Sequence, residues 1–157
     1  MTPRRILLLR HGEKPDDPKS PDLAPAGMVR AERLAVYIPA TFGRPNFVFA
    51  AAVAKDSVRS YLTMRPLCDA TEVPLDASFK GKKYEDLATK LLSDPAYADR
   101  MVVVCWSHNE LPEVAEALNA RAGDYPDPWD PEVFNLILQL DYGKGGEPTV
   151  TSVIQPF

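Results

Sequence analysis

His11 and His108 are the only histidines of this 157-residue chain, and both directly follow an apolar run. His11 stands in Leu9-Arg10-His11-Gly12-Glu13, just past Ile6–Leu9. His108 stands in Trp106-Ser107-His108-Asn109-Glu110, just past Met101–Trp106. A short unbroken apolar run reads as a strand buried on both faces, as in a parallel sheet. In such sheets ligands sit beyond the carboxyl ends of the strands. One histidine in that position is more often a packed or surface residue; two of two, one beside an arginine, shift the balance towards chemistry. A neutral imidazole nitrogen can act as a nucleophile and form a covalent intermediate. Arginine offers a planar, permanently charged fork of donors that matches phosphate. Arg10 adjoins His11, and Arg59 closes the polar cluster Asp56–Arg59 that follows a further apolar run, Phe47–Ala51. A phosphoryl group spreads charge over three oxygens, so residues of these types suit its transfer by positioning and electrostatic stabilisation.

The elements that must carry these groups can be read from periodicity and proline punctuation. Residues 14–22 read as loop. Met28, Ala31, Leu34, Ala35 and Ile38 follow helical spacing, predicting a helix from Pro25 to about Ile38 that Pro39 stops. After the strand Phe47–Ala51 a second helix is expected from about Asp56, with Pro66 as its kink or stop. Further helices are expected over Tyr84–Leu92 and over Pro112–Arg121, the latter with proline in its first turn, where it is tolerated. Met101–Trp106 is a strand. Val133–Asp141 and Val150–Ile154 read as two late strands joined by a turn over Gly143–Gly146. Strands alternating with helices predict a single α/β domain over residues 1–157, a three-layer α/β/α sandwich with a mainly parallel sheet.

Composition excludes several classes. The net charge of -4 argues against a broad basic surface for nucleic acid, though it permits a local positive pocket. The apolar run Ile6–Leu9 is too short for a secretory segment, and no stretch approaches the roughly 20 apolar residues that span a bilayer. A soluble cytoplasmic protein without membrane contact is therefore expected. Cys68 and Cys105 form no CxxC pair, and Cys105 lies inside an apolar run, so buried thiols are expected rather than a disulfide. No HxxH or HExxH spacing suggests a metal. Gly145 and Gly146 lack the phosphate-loop pattern, and Ser57 and Ser107 lack the GxSxG context. Trp106 and Trp129 are expected to pack. No cofactor is expected.

The string Leu-Leu-Arg-His-Gly-Glu after a hydrophobic strand resembles the signature of the histidine phosphatase superfamily, the phosphoglycerate mutase-like proteins. Asp22–Gly27 followed by Arg30-Ala31-Glu32 resembles that family's first helix. Ser57-Val58-Arg59 resembles the place of its second arginine, and Val102–His108 resembles the strand that delivers its second histidine. The resemblance covers roughly residues 5–120, in order. It implies a phosphoglycerate mutase-like fold and a metal-independent phosphatase. His11 would take the phosphoryl group as a covalent phosphohistidine, its other ring nitrogen held by a backbone carbonyl. Arg10 and Arg59 would clamp the phosphate, Gly12 would let the backbone turn beside it, and His108 and Asn109 would add donors. Glu110 resembles the proton donor of one branch of the family; Glu85, Asp86 or no dedicated donor remain open. Glu13 is expected at the rim or in a structural role, and Lys14 and Lys55 read as exposed solubility lysines, with the pocket mouth as the alternative. The substrate would be a phosphomonoester or phosphohistidine, on a phosphorylated small molecule or a phosphoprotein. A non-catalytic phosphate-binding regulatory module and a phosphomutase are the alternatives. The late strands offer an edge for a possible homodimer.

Overall fold

Successive strand residues face opposite sides of a sheet, and the buried runs of this chain divide accordingly. In the computed structural model, which describes residues 1–157, Leu7 and Leu9 pack with Leu34, Ile38, Met64 and Leu67. Ile6 and Leu8 pack on the other side with Leu87, Leu91, Leu111 and Val114. The strand that carries them, β1 (Arg5–Arg10), thus feeds two cores at once. Helices α1 (Pro25–Phe42) and α2 (Arg59–Thr71) cover the first face; α3 (Tyr84–Ser93) and α4 (Leu111–Ala117) cover the second. The expected three layers are present.

The remaining strands are β2 (Phe47–Ala50), β3 (Leu75–Asp76), β4 (Met101–Trp106), β5 (Leu136–Tyr142) and β6 (Pro148–Ile154), ordered β3-β2-β4-β1-β5-β6. β3, β2, β4 and β1 run parallel. β5 joins β1 antiparallel, and β6 returns beside it as the expected hairpin. Arg10 is paired with Trp106, so β1 and β4 end level with each other. His11 and Ser107 therefore leave the sheet side by side.

Several expected boundaries move, each for a physical reason. Pro39 does not stop α1: it lies in the last turn, and its carbonyl accepts from Gly43 N at 3.0 Å. The helix stops at Gly43 instead, whose φ of 95° favours glycine. Pro66 does not end α2, because Leu67 and Cys68 bury beyond it and tertiary packing outweighs the lost N–H bond. That helix starts at Arg59 rather than Asp56, after a turn closed by Ala54 and Ser57. α4 ends at Ala117, short of Arg121, and Asn119 follows with φ 71°. β5 starts at Leu136 rather than Val133, because the Val133 carbonyl is taken by side chains. The two-residue β3 was not expected.

Cys68 and Cys105 are free and buried, and burial pushes the thiols up to about 11 and about 12. No helix is long and apolar enough to cross a membrane.

Candidate active site

His11 is 3% exposed at the end of β1, where its backbone N–H donates to Trp106 O at 3.4 Å. Its Nδ1 lies 2.7 Å from Gly12 O. A carbonyl only accepts, so Nδ1 carries the proton and Nε2 presents its lone pair. Burial above all, with the charges of Arg10, Arg59 and Lys14, brings the imidazole down to about 3, against the opposing pull of the Gly12 bond. The ring is therefore neutral at ordinary pH, as a nucleophile requires.

Gly12 packs against the first turn of α1. Its N–H donates to Thr63 Oγ1 at 2.9 Å and so is not free for an anion. Thr63 is in turn held by its hydroxyl on Arg59 O at 2.7 Å. A Cβ at Gly12 would lie 2.9 Å from Gly27 Cα and O, and one at Gly27 would lie 2.6 Å from Glu13 O. The paired glycines let the first turn of α1 press against the backbone beside His11. Glu13 is structural. Arg30 donates to both its oxygens, at 2.9 and 3.0 Å, and reaches on to Gln155 Oε1 at 2.7 Å. Burial alone would raise the Glu13 carboxyl; the Arg30 bonds and charge overcome it and hold it below its usual value.

Arg10 is 1% exposed. Its Nη1 donates to Pro131 O at 2.6 Å, and its guanidinium lies 3.8 Å from the centroid of the Phe134 ring. That ring is 6.4 Å from the His11 ring. Burial, then the nearby Arg59 charge, lowers Arg10 to about 10. Arg59, half-buried, fixes Nη1 on Ser20 O at 2.9 Å; burial lowers it while Asp56 and Asp22 pull it up. Five buried side-chain polar atoms in the chain have no hydrogen-bond partner, and four of them are Arg10 Nε, Arg10 Nη2, Arg59 Nε and Glu110 Oε2.

A cavity of about 600 Å³ opens here, lined among others by His11, Arg59, Ser107, Asn109 and Glu110. The segment after β2, Ala51–Ala54, forms its apolar wall, and Lys80, Gly81 and Lys82 close another side. Four of the expected residues, His11, Arg59, Asn109 and Glu110, thus meet. Arg10, His108 and Gly12 do not line the cavity. Arg10 nonetheless acts on both histidines: its charge, after burial and together with Lys14, also lowers His108. Glu110 is raised by burial first and by Glu113 next, with Lys82 pulling the other way. Glu85 lines a separate groove between α3 and α4, and neither it nor Asp86 borders the cavity, so those two candidate donors are set aside. Lys55 is exposed and does not line it either. Both tryptophans pack, as expected: Trp106 is fully buried and Trp129 is 2% exposed. No group of three His, Cys, Asp or Glu side chains is placed to hold a metal ion.

At the level of sequence, no protein-family model and no curated protein matches the chain. Solved structures do match in shape along nearly its whole length. A phosphohistidine phosphatase-type protein, SixA of Agrobacterium tumefaciens, superposes with TM-score 0.65 at 16% identity, over 96% of this chain and 97% of that one. A mycobacterial glucosyl-3-phosphoglycerate phosphatase solved with inorganic phosphate gives 0.60 at 16%, over 98% and 97%. Phosphoglycerate mutase from Plasmodium falciparum gives 0.63 at 14%, over 96% and 90%. The fold is phosphoglycerate mutase-like.

In this phosphoglycerate mutase-like sheet the cavity draws on the segments that follow β1, β2 and β4, where a parallel sheet presents its loops. Chemically, the arrangement combines an unprotonated imidazole nitrogen, two guanidiniums with unused donors and a carboxyl biased towards its protonated form. Phe134, Thr63 and Gly81 were not singled out from the sequence. Their contacts cross the fold, and no local spacing announces them.

Proposed function

We propose that this protein is a metal-independent phosphatase that hydrolyses a phosphomonoester or phosphohistidine through a phosphohistidine on His11. The observation that carries this reading is the set of buried, unpartnered donors on Arg10 and Arg59 beside a neutral His11 whose Nδ1 proton is held by Gly12 O. Buried donors without partners are rare and costly. A tetrahedral phosphoryl group offers acceptors to all of them in charge-assisted bonds. The mycobacterial phosphatase that shares the fold was solved with inorganic phosphate, which supports phosphate as a ligand of this chain.

His11 Nε2 attacks phosphorus in line, and the bond to the leaving oxygen breaks. Glu110, protonated at the start, gives its proton to that oxygen. The proton stays on Nδ1, donated to Gly12 O, so the phosphoimidazole carries a positive ring that leaves readily. A water then attacks phosphorus, Glu110 takes its proton back, and the P–N bond breaks to free His11 and inorganic phosphate. Arg59 and Asn109, which line the cavity, hold the non-bridging oxygens, and the charge of buried Arg10, which acts on both histidines, adds to the positive field. The cavity volume falls in the range of small-molecule sites, which favours a phosphorylated small molecule over a phosphoprotein.

The test is turnover of a generic aryl phosphate with chelator present. Release of phosphate, inhibition by vanadate and loss of activity in His11→Ala are expected; full activity in that variant would end the proposal. Thermal stabilisation by phosphate without any turnover would instead favour a regulatory phosphate-binding module.

A further inference from the structure

β6 is an outer strand of the sheet, with β5 as its only neighbour. The direction of its backbone groups follows from its register. Gln155 N donates to Asn135 O at 2.8 Å, and these two residues continue the unbroken pairing that runs from Pro148↔Tyr142 to Ile154↔Leu136. In an antiparallel ladder, pairs that exchange hydrogen bonds alternate with pairs that do not. Thr149, Thr151 and Val153 therefore turn their N–H and C=O groups to β5, and Val150, Ser152 and Ile154 turn theirs outward. The far side of β5 agrees: Tyr142 N donates to Arg4 O at 3.1 Å, so the even-numbered residues of β5 serve β1 and the odd-numbered ones serve β6. Proteins commonly blunt such an edge with a lysine, an interior proline, a bulge or extreme shortness. The opposite outer strand, β3, is two residues long. β6 has seven residues and no bulge, its one proline is its first residue, and no side chain from Pro148 to Phe157 is charged. Val150, Ser152 and Ile154 share one face of the strand. Val150 packs on the core beneath α3 and α4, whereas Ile154 is 61% exposed.

We propose that β6 pairs antiparallel with β6 of a second copy of this chain, with Ser152 on the two-fold axis, so that two six-stranded sheets become one. In this register Ser152 meets Ser152 of the partner subunit and Val150 meets Ile154 in both directions, giving about six main-chain bonds. Sliding the strands either way brings an outward position against Pro148 or Pro156, which have no N–H to give. The two prolines thus leave one register in which every outward group is used. Ile154 then lies against an apolar side chain instead of water, and no charge opposes the approach. None of these residues lines the cavity, so the pairing stands apart from the phosphatase reading.

Analytical ultracentrifugation across a concentration series tests it. The wild-type chain should pass from monomer to dimer, doubling its mass, as concentration rises. Ser152→Pro removes an outward N–H without touching the ladder to β5 and should stay monomeric. Ser152→Lys sets like charges opposite each other on the axis and should stay monomeric too, whether or not the strand tolerates proline. Val36→Lys, at a 71% exposed site on α1, should dimerise as the wild type does. Amide hydrogen exchange locates the contact. Val150, Ser152 and Ile154 should exchange at least about tenfold more slowly in concentrated than in dilute protein, while Thr149, Thr151 and Val153 stay protected in both. A monomer at every concentration, a dimer that survives in either Ser152 variant, or one lost in Val36→Lys would overturn the pairing. Protection of the three outward amides only on adding an extended peptide of other sequence would give the edge to a foreign strand and end the self-pairing.

Discussion

The proton inventory of the site sets its pH behaviour. His11 must be neutral to attack, and its depressed value of about 3 means the acid limb of activity lies far below the ordinary imidazole range. Glu110 must be protonated to assist departure, so activity falls as pH rises through its raised value. A bell displaced to the acid side is expected in kcat/KM. Glu110→Gln should remove the alkaline limb and cost about 10²–10⁴-fold with a poor leaving group such as an alkyl phosphate. With 4-nitrophenyl phosphate, whose leaving group needs no proton, the loss should be far smaller; equal losses for the two esters would remove Glu110 from its role. Phe134 acts one step back, by stacking on Arg10 and bordering His11. Phe134→Leu should weaken vanadate inhibition by about tenfold, the scale of one cation–π contact in a desolvated place, while Phe134→Tyr should restore most of it.

At the scale of elements, α1 presses closely on the backbone just past the end of β1. Gly27→Ala would drive a methyl into Glu13 O, a backbone atom that cannot swing away. Overpacking of this kind costs typically about 1–3 kcal/mol, and chemical denaturation should find the variant destabilised by that amount, with activity reduced because His11 moves with the strand end. The sequence spoke plainly about β1 and β4, whose apolar runs are wholly buried, and about the starts of α1 and α3. It misled at Pro39, which lies inside the helix it was expected to stop, and of the two readings of Pro66, kink or stop, the stop fails because long-range burial holds the helix. It also misled at Val133, where an apolar residue promised strand but its carbonyl serves the Arg10 and Trp129 side chains. His11, Arg59 and Glu110, which meet in one cavity, were legible because ligand sites of parallel sheets lie beyond strand ends. Phe134 and Gly81 were not, because their roles depend on which distant segment folds over them.

For the molecule as a whole, the site stores repulsion. The Arg59 charge lowers Arg10 as a cation, burial lowers Arg59, and three of their donors find no protein acceptor. A bound anion relieves both, so ligand binding should stabilise the fold globally. Phosphate or vanadate at about 100 times its Kd contributes about 2.7 kcal/mol, or roughly 5–10 °C in Tm for a chain of this size. Differential scanning calorimetry checks this, and no shift at saturating vanadate would argue that the donors do not meet the anion. His11 adds a pH term of known sign. Its folded value is depressed below 6.5, so its contribution to stability is complete above that pH and is lost as pH falls towards about 3. The acid range in which the nucleophile still works is therefore also the range in which the fold begins to weaken.

The partner that holds the His11 proton is the main-chain oxygen of the next residue. Enzymes that orient an imidazole with a carboxylate can be retuned by a single codon; here no codon encodes the acceptor. Selection can change how the ring is surrounded but not what it leans on. Reaching that oxygen would take backbone chemistry: an ester in place of the amide joining positions 12 and 13, made by semisynthesis, would weaken the acceptor while leaving every side chain intact.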